Sequence, residues 1–186
     1  PSMMGVPFFE NTMPAIKERL SLIKQNVKFY IVSNLLQKRA ITIAKMFDHI
    51  ATSYEVENRF TKQKQEDQWI NNCKDLASEG HNIGIGITMT KTVIAKGAPA
   101  MIEFCKELGI KNIHFNYFIP SGDGLINAVD VFPPFEDTAT FLIEATDYYL
   151  EHRMTDVDFY LSPVESMIES IYRNEAMEEI TCSIIS

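Results

Sequence analysis

Apolar positions along the chain switch repeatedly between two periods. From Asn11 the segment NTMPAIKERLSLIKQN places Ile16, Leu20 and Ile23 at helical spacing behind an Asn11 or Thr12 cap. VKFYIVSN follows as a short β-branched and aromatic run, the pattern of a strand. The alternation continues through helix LQKRAITIAKMF, strand HIATSYEV and the long helix KQKQEDQWINNCKDLASEG, which Gly80 closes as a left-handed cap. Strand NIGIGITMT, helix APAMIEFCKELG and strand NIHFNYFIP come next, then helix PPFEDTATFLIEATDYYLEH, strand VDFYLSP and helix VESMIESIYRNEAMEE. SMMG is counted as the stub of a first strand. Short, nearly continuous apolar strands predict a parallel sheet buried on both faces, and parallel neighbours need the crossover helices that are present. The class is α/β, an open doubly wound sheet or a barrel. The longest connection, Pro120 to Pro134, carries Gly122, Asp123, Gly124 and Asp130 and leaves the carboxyl end of a strand, where ligands sit in both architectures.

Composition narrows the function classes. A chain of 186 residues, 46% hydrophobic and 23% charged, is that of one globular domain. No apolar run approaches the ~20 residues of a membrane span, and the N-terminus lacks the basic start of a signal peptide. A net charge of −8 argues against nucleic acid as a partner. Cys73, Cys105 and Cys182 are spaced too widely for a metal knuckle. An odd thiol count with no secretory signal points to a reducing, cytoplasmic setting. Cys73 and Cys105 fall inside amphipathic helices, as small buried apolar residues do. His49 and His114 lie in strands and show no metal-binding spacing, and Trp69 and Phe60 are packing residues. No nucleophile elbow of the GxSxG kind occurs.

The run GIGITMTKTVIAKGAPAMIEFCKELGIKNIHFNYFIPSGDG resembles the second half of a radical S-adenosylmethionine barrel of the kind that carries a SPASM-type extension. FYIVSNLL is similar to that family's third strand, IATSYEVENRF to its fourth, and MMGVPFF stands where the family has GGEP. The resemblance covers Met3 to Leu161. It implies an incomplete (β/α) barrel with parallel strands and crossover helices, one partial domain over 1–186, with 162–186 the start of a truncated C-terminal extension. It also implies a site for S-adenosylmethionine. Gly5 and Pro7 match the turn facing the methionine end of the cofactor; Asn34 ends the third strand. Ser53 lies near the ribose and carboxylate, Glu55 replaces the usual aspartate, Thr88 or Thr90 ends the fifth strand, and Gly122 lies beside the adenine. Gly84 and Gly86, on one side of their strand, leave room for a ligand or for close packing.

The departures from the family bear on activity. Its [4Fe–4S] cluster needs three cysteines spaced CxxxCxxC, and this chain has none so spaced. Val6 stands in place of the GGEP glutamate. One expectation is therefore the remainder of an enzyme that in full-length form cleaves S-adenosylmethionine to modify a peptide or small substrate, this chain alone being inactive. The alternative is a cluster-less relative that keeps the barrel as a binding or protein-interaction scaffold. A phosphate-binding barrel is a weaker third, since SGDG offers backbone donors but has no basic neighbour. Plainer roles stand beside the ligand roles: Asn34 and Ser53 as helix caps, Gly122 and Gly124 as turn glycines, and Glu55, Glu57 and Arg59 as a surface ion pair. A missing first strand would leave an open edge, through which a homodimer is expected.

Overall fold

The computed structural model describes residues 5–22, 27–55, 60, 62–119, 128–153 and 159–172. In chain order the elements are α1 (Gly5–Leu22), β1 (Tyr30–Val32), α2 (Lys38–Ala44), β2 (His49–Tyr54), α3 (Gln63–Ser78), β3 (Asn82–Met89) and α4 (Lys91–Lys96). They continue with α5 (Ala98–Glu107), β4 (Asn112–Tyr117), α6 (Ala128–Val131), α7 (Phe135–His152), β5 (Tyr160–Ser162) and α8 (Val164–Tyr172). The five strands form one sheet in the order β1-β2-β3-β4-β5. Tyr30 pairs with His49 in the parallel β1–β2 ladder, and Asn112 with Tyr160 in the parallel β4–β5 ladder. The fold is α/β, a parallel sheet with crossover helices.

This strand order never reverses. Right-handed crossovers that all advance in one direction place their helices on one face of the sheet. Among the described residues it is the winding of a (β/α) barrel, carried through five strands. Burial follows. Ile83, Ile85, Ile87 and Met89 of β3 are at most 2% exposed, while the intervening Gly84, Gly86 and Thr88 are only half-buried. In β2, Ile50, Thr52 and Tyr54 are buried and Ala51 and Ser53 are exposed; in β4, Ile113 and Phe115 are buried and His114 and Asn116 exposed. The expectation of strands buried on both faces is therefore corrected. The run NIGIGITM is unbroken in hydropathy, but its open-face positions are glycine and threonine, which contribute little apolar area.

Contacts divide the chain into two compact units. The first is Pro1–Gly86 with Cys105–Lys111. Here α3 lays Trp69, Cys73 and Leu76, all fully buried, under β2. The indole N–H of Trp69 donates to the buried Thr52 hydroxyl at 3.1 Å, and Trp69 stacks on Tyr54 at 5.2 Å. Phe60 closes that cluster, 5.8 Å from Trp69. Both α3 and α5 end on a left-handed glycine, Gly80 (φ 84) and Gly109 (φ 75), as the sequence predicts for Gly80. The second unit is Ile87–Phe104 with Asn112–Ser186. Its core is Met101 and Ile102 of α5, Ile113 and Phe115 of β4, Phe141, Ala145 and Tyr149 of α7, and Leu161 of β5. Phe115 meets Phe141 edge to face at 4.9 Å. Helices α4 and α6 were not foreseen. Helix α1 starts at Gly5, six residues before the expected cap, and carries Pro14 inside it.

Candidate functional site

Parallel strands of this winding present their carboxyl ends, and the loops after them, to a ligand. In the first unit that rim begins beyond β1. Ser33 prolongs the ladder by donating its N–H to the Ala51 carbonyl at 2.9 Å. The chain then turns sharply at Leu35, a fully buried non-glycine residue at φ 53. The turn is held from three directions. Leu35 N–H donates to Ser33 Oγ at 3.2 Å, Leu36 N–H donates to Asn34 Oδ1 at 3.2 Å, and Asn72 Nδ2 donates to the Leu35 carbonyl at 2.6 Å. Asn34 sits exposed at the apex. Its carboxamide makes an Asx turn and does not cap α2, whose N-cap is Gln37.

Ser53 lies on the open face one residue before the end of β2, and Glu55 follows the strand, half-buried. Ser53 is not a helix cap either: α3 starts from Lys62. Between them Tyr54 points to the covered face and donates its hydroxyl to Glu66 Oε1 at 2.6 Å. Burial, then that carboxylate, push the Tyr54 phenol well above its ordinary range, so it remains a donor. At the amino end of β2, Tyr30 stacks on His49 at 4.5 Å, and the Asn82 carboxamide nitrogen lies 2.8 Å from His49 Nδ1.

In the second unit Thr88 stands on the open face next to the last residue of β3. Thr90 has a different job. It is fully buried, caps α4 by accepting from Val93 N–H at 3.4 Å, and shares a hydrogen bond with Thr92 Oγ at 3.0 Å. Next to these strand ends is a cavity of about 380 Å³ lined by Met89, Tyr117, Phe118, Phe132, Phe135 and Leu142 among others. Phe118, Phe132 and Phe135 form an edge-to-face chain at 6.0 and 5.7 Å. Lys91 Nζ donates to the Val129 carbonyl at 2.7 Å and ties α4 to α6. Sequence reasoning missed this aromatic wall; its signal was VFPPF, two phenylalanines flanking a proline pair at the end of the long connection. His114, on the open face near Tyr160 (5.8 Å), has its pKa lowered by partial burial.

Asn34, Ser53 and Glu55 thus occupy the carboxyl ends of the adjacent strands β1 and β2 in one unit, and Thr88 the carboxyl end of β3 in the other. Gly5 and Pro7 lie in the first turn of α1 rather than in a turn after a strand. Gly122, Gly124, Glu57, Arg59, Cys182 and residues 2–4 of the SMMG strand stub lie outside the described residues, and the stub's last residue, Gly5, is helical.

A four-iron cluster requires thiolates. Cys73 and Cys105 are fully buried on the helix-covered side, and burial and the neighbouring Cys73 push the Cys105 thiol far above its ordinary range. Among the described residues no group of three His, Cys, Asp or Glu side chains could hold a metal ion. The described residues therefore do not fit the cluster. At the strand ends of the first unit stand the Asn34 carboxamide, the Ser53 hydroxyl and the Glu55 carboxylate, with Gly84 and Gly86 on the open face of β3.

No protein-family model and no curated protein matches the sequence. A crystal structure of a domain of pyruvate-formate lyase-activating enzyme from Bacteroides vulgatus ATCC 8482 is similar to it, with a TM-score of 0.49 and 16% identity, covering 80% of this chain and 91% of that one.

Proposed function

We propose that this chain is the barrel portion of a radical S-adenosylmethionine-type protein and that its strand ends bind S-adenosylmethionine. The observation that carries this is the one-directional strand order with its open face, which sets Ser53 and Glu55 at the end of β2 and leaves Gly84 and Gly86 half-buried on the open face of β3. The residue resemblance then supplies the ligand's identity. Radical cleavage is not assigned to the described residues, because their cysteines do not fit the cluster. In this reading the chain alone is inactive, and modification of a peptide or small substrate belongs to a full-length protein that brings the cluster. A cytoplasmic setting goes with it; among the described residues no helix is long and apolar enough to cross a membrane.

A second reading keeps the barrel as a cluster-less binding or protein-interaction scaffold. It is favoured by two buried core cysteines and by Val6 in place of a glutamate. Calorimetry of the chain with S-adenosylmethionine tests the first reading. Micromolar binding that weakens about 5- to 10-fold in Ser53→Ala, the loss of one hydrogen bond, is expected. Absence of binding overturns the cofactor site and leaves the scaffold. Anaerobic iron–sulfide reconstitution should give no stable four-iron absorbance; a stable cluster would show that the reading of the cysteines is wrong.

A further inference from the structure

Helix α7 buries Phe141, Ala145 and Tyr149, so the residues on its opposite side form an outer face. That face is divided lengthwise. Ala139, Ile143, Thr146 and Leu150 follow one another at four, three and four positions, the spacing of a helix–helix seam. Ala139 is exposed, and Ile143 and Leu150 are 62% and 50% exposed. One exposed leucine is ordinary, but this row runs over about three turns. Alongside it runs a second row, Glu136, Glu144, Asp147 and Glu151, all exposed. The neighbours of α7 fix which row is where. Tyr149 donates its hydroxyl to Glu165 of α8 at 3.0 Å, and Tyr148 hydrogen-bonds Glu103 of α5. At about 100° per residue, the apolar row then lies toward α8 and the acidic row toward α5. Glu144 agrees: its Oε2 is 3.8 Å from where a Cβ on Gly97, just before α5, would stand.

The acidic row is uncompensated. Helix α7 spans 18 residues and contains no lysine or arginine. Among the described residues no ion pair involves one of its carboxylates. Arg153, just past its end, lies over the Tyr149 ring at 5.8 Å. Glu144 and Asp147 are three positions apart and Asp147 and Glu151 four, so like charges adjoin along the helix and weaken it. We propose that the outer face of α7 is a docking site for a cationic amphipathic helix of a partner protein. The partner's apolar side chains cover Ile143 and Leu150, and its lysines or arginines along one flank meet Glu144, Asp147 and Glu151. The same charges disfavour the other ways of covering the row. A second copy pairing through α7 would add acids and no lysine or arginine, in a chain of net charge −8. An anionic membrane would repel the acidic row, since helices that lie on one carry lysine and arginine on their polar side. The face is on the outside of the helix layer, apart from the strand ends proposed to bind S-adenosylmethionine.

The test measures, by fluorescence anisotropy, binding of the full chain to a labelled helical peptide of leucine and lysine, about 18 residues long. Its lysines run along one flank of the leucine face. A counterpart peptide carries glutamate in place of every lysine. The lysine peptide should bind with a Kd of about 10 μM, more weakly as salt is raised, and the glutamate peptide should not bind. Glu144→Gln with Asp147→Asn and Glu151→Gln should weaken the lysine peptide about 10-fold. Ile143→Ser with Leu150→Ser should weaken it about 10-fold as well, at a urea midpoint close to wild type. Full-strength binding in either set of substitutions would overturn the site, as would equal binding of the two peptides or no binding of either. A urea midpoint lowered by the Ile143→Ser, Leu150→Ser pair as far as by Phe141→Ala would show that the chain itself covers the row. Self-association abolished by that pair would assign the face to a second copy, and adsorption to phosphatidylserine vesicles abolished by it would assign the face to a membrane. Each of these would also overturn the proposal.

Discussion

Gly80 and Gly109 have nearly the same backbone conformation but different surroundings, which separates two costs usually measured together. Both are left-handed, so any L-residue there is strained by about 1–2 kcal/mol. A Cβ at Gly80 meets nothing within 4 Å, whereas one at Gly109 meets the Ala77 Cβ at 2.7 Å. Gly80→Ala should therefore cost about 1 kcal/mol in urea denaturation. Gly109→Ala should cost about 2–4 kcal/mol, because the Ala77 Cβ can give way only if the backbone of α3 moves with it. Equal costs would show that Ala77 is not in contact with Gly109. Asp48 provides a second test. Its Oδ2 accepts the Phe29 N–H at 2.8 Å, and its own N–H donates to the Phe29 carbonyl at 2.9 Å. That hydrogen bond first, and the Lys17 and Lys28 charges after it, lower the Asp48 pKa. A carboxyl depressed in the folded state contributes stability above its unfolded pKa of about 4 and loses it as pH falls through the folded value. Asp48→Asn should cost up to about 1 kcal/mol at neutral pH, given its exposure, and the gap from wild type should close in acid. A gap constant from neutral pH down into strong acid would refute this.

The element scale shows which parts of the fold were legible. Helix α3 was readable nearly to its ends, because a long amphipathic run terminates in Gly80 and its apolar residues recur at one period. Strands β2 and β3 were likewise found in place. What hydropathy could not give was the facing of β3, since glycine and threonine score as neutral on either side of a sheet. Helix α4 was hidden inside a segment assigned to the strand–loop, because Thr90 caps it only one residue past the strand. The strand ends were legible, with Asn34, Ser53, Glu55 and Thr88 at or just past them. It was not legible where distant residues converge, as at Phe118, Phe132 and Phe135. Docking of α3 on β2 makes a matching prediction. Trp69 and Thr52 are both buried and hydrogen-bond each other. Trp69→Phe and Thr52→Val each leave the partner's polar atom unpaired, so each should cost more than their shared interaction alone. The double variant should recover about 1–2 kcal/mol of the summed loss. Strict additivity in the double-mutant cycle would mean that the indole is held by packing only.

At the scale of the whole molecule, the sheet of described residues ends at β1. The hydrogen bonds of Ser33 N–H to the Ala51 carbonyl and of His49 N–H to the Phe29 carbonyl show that odd-numbered residues of β1 face β2. Alternation then points the backbone groups of Tyr30 and Val32 outward. Tyr30 and Val32 are also 68% and 83% exposed, an apolar pair beside these outward backbone groups. Natural edges are blunted by proline or charge, and neither falls within Tyr30–Val32. Strand addition by a second copy is the association this edge invites. Sedimentation velocity should show dimer growing with concentration. Val32→Pro should suppress it without unfolding the chain, because the lost N–H is the outward one and β1–β2 pairing keeps its own bonds. A wild-type chain that sediments as monomer at every concentration would rule out β1 as a self-pairing edge. Dimer that persists in Val32→Pro would move the contact elsewhere, away from the backbone of β1.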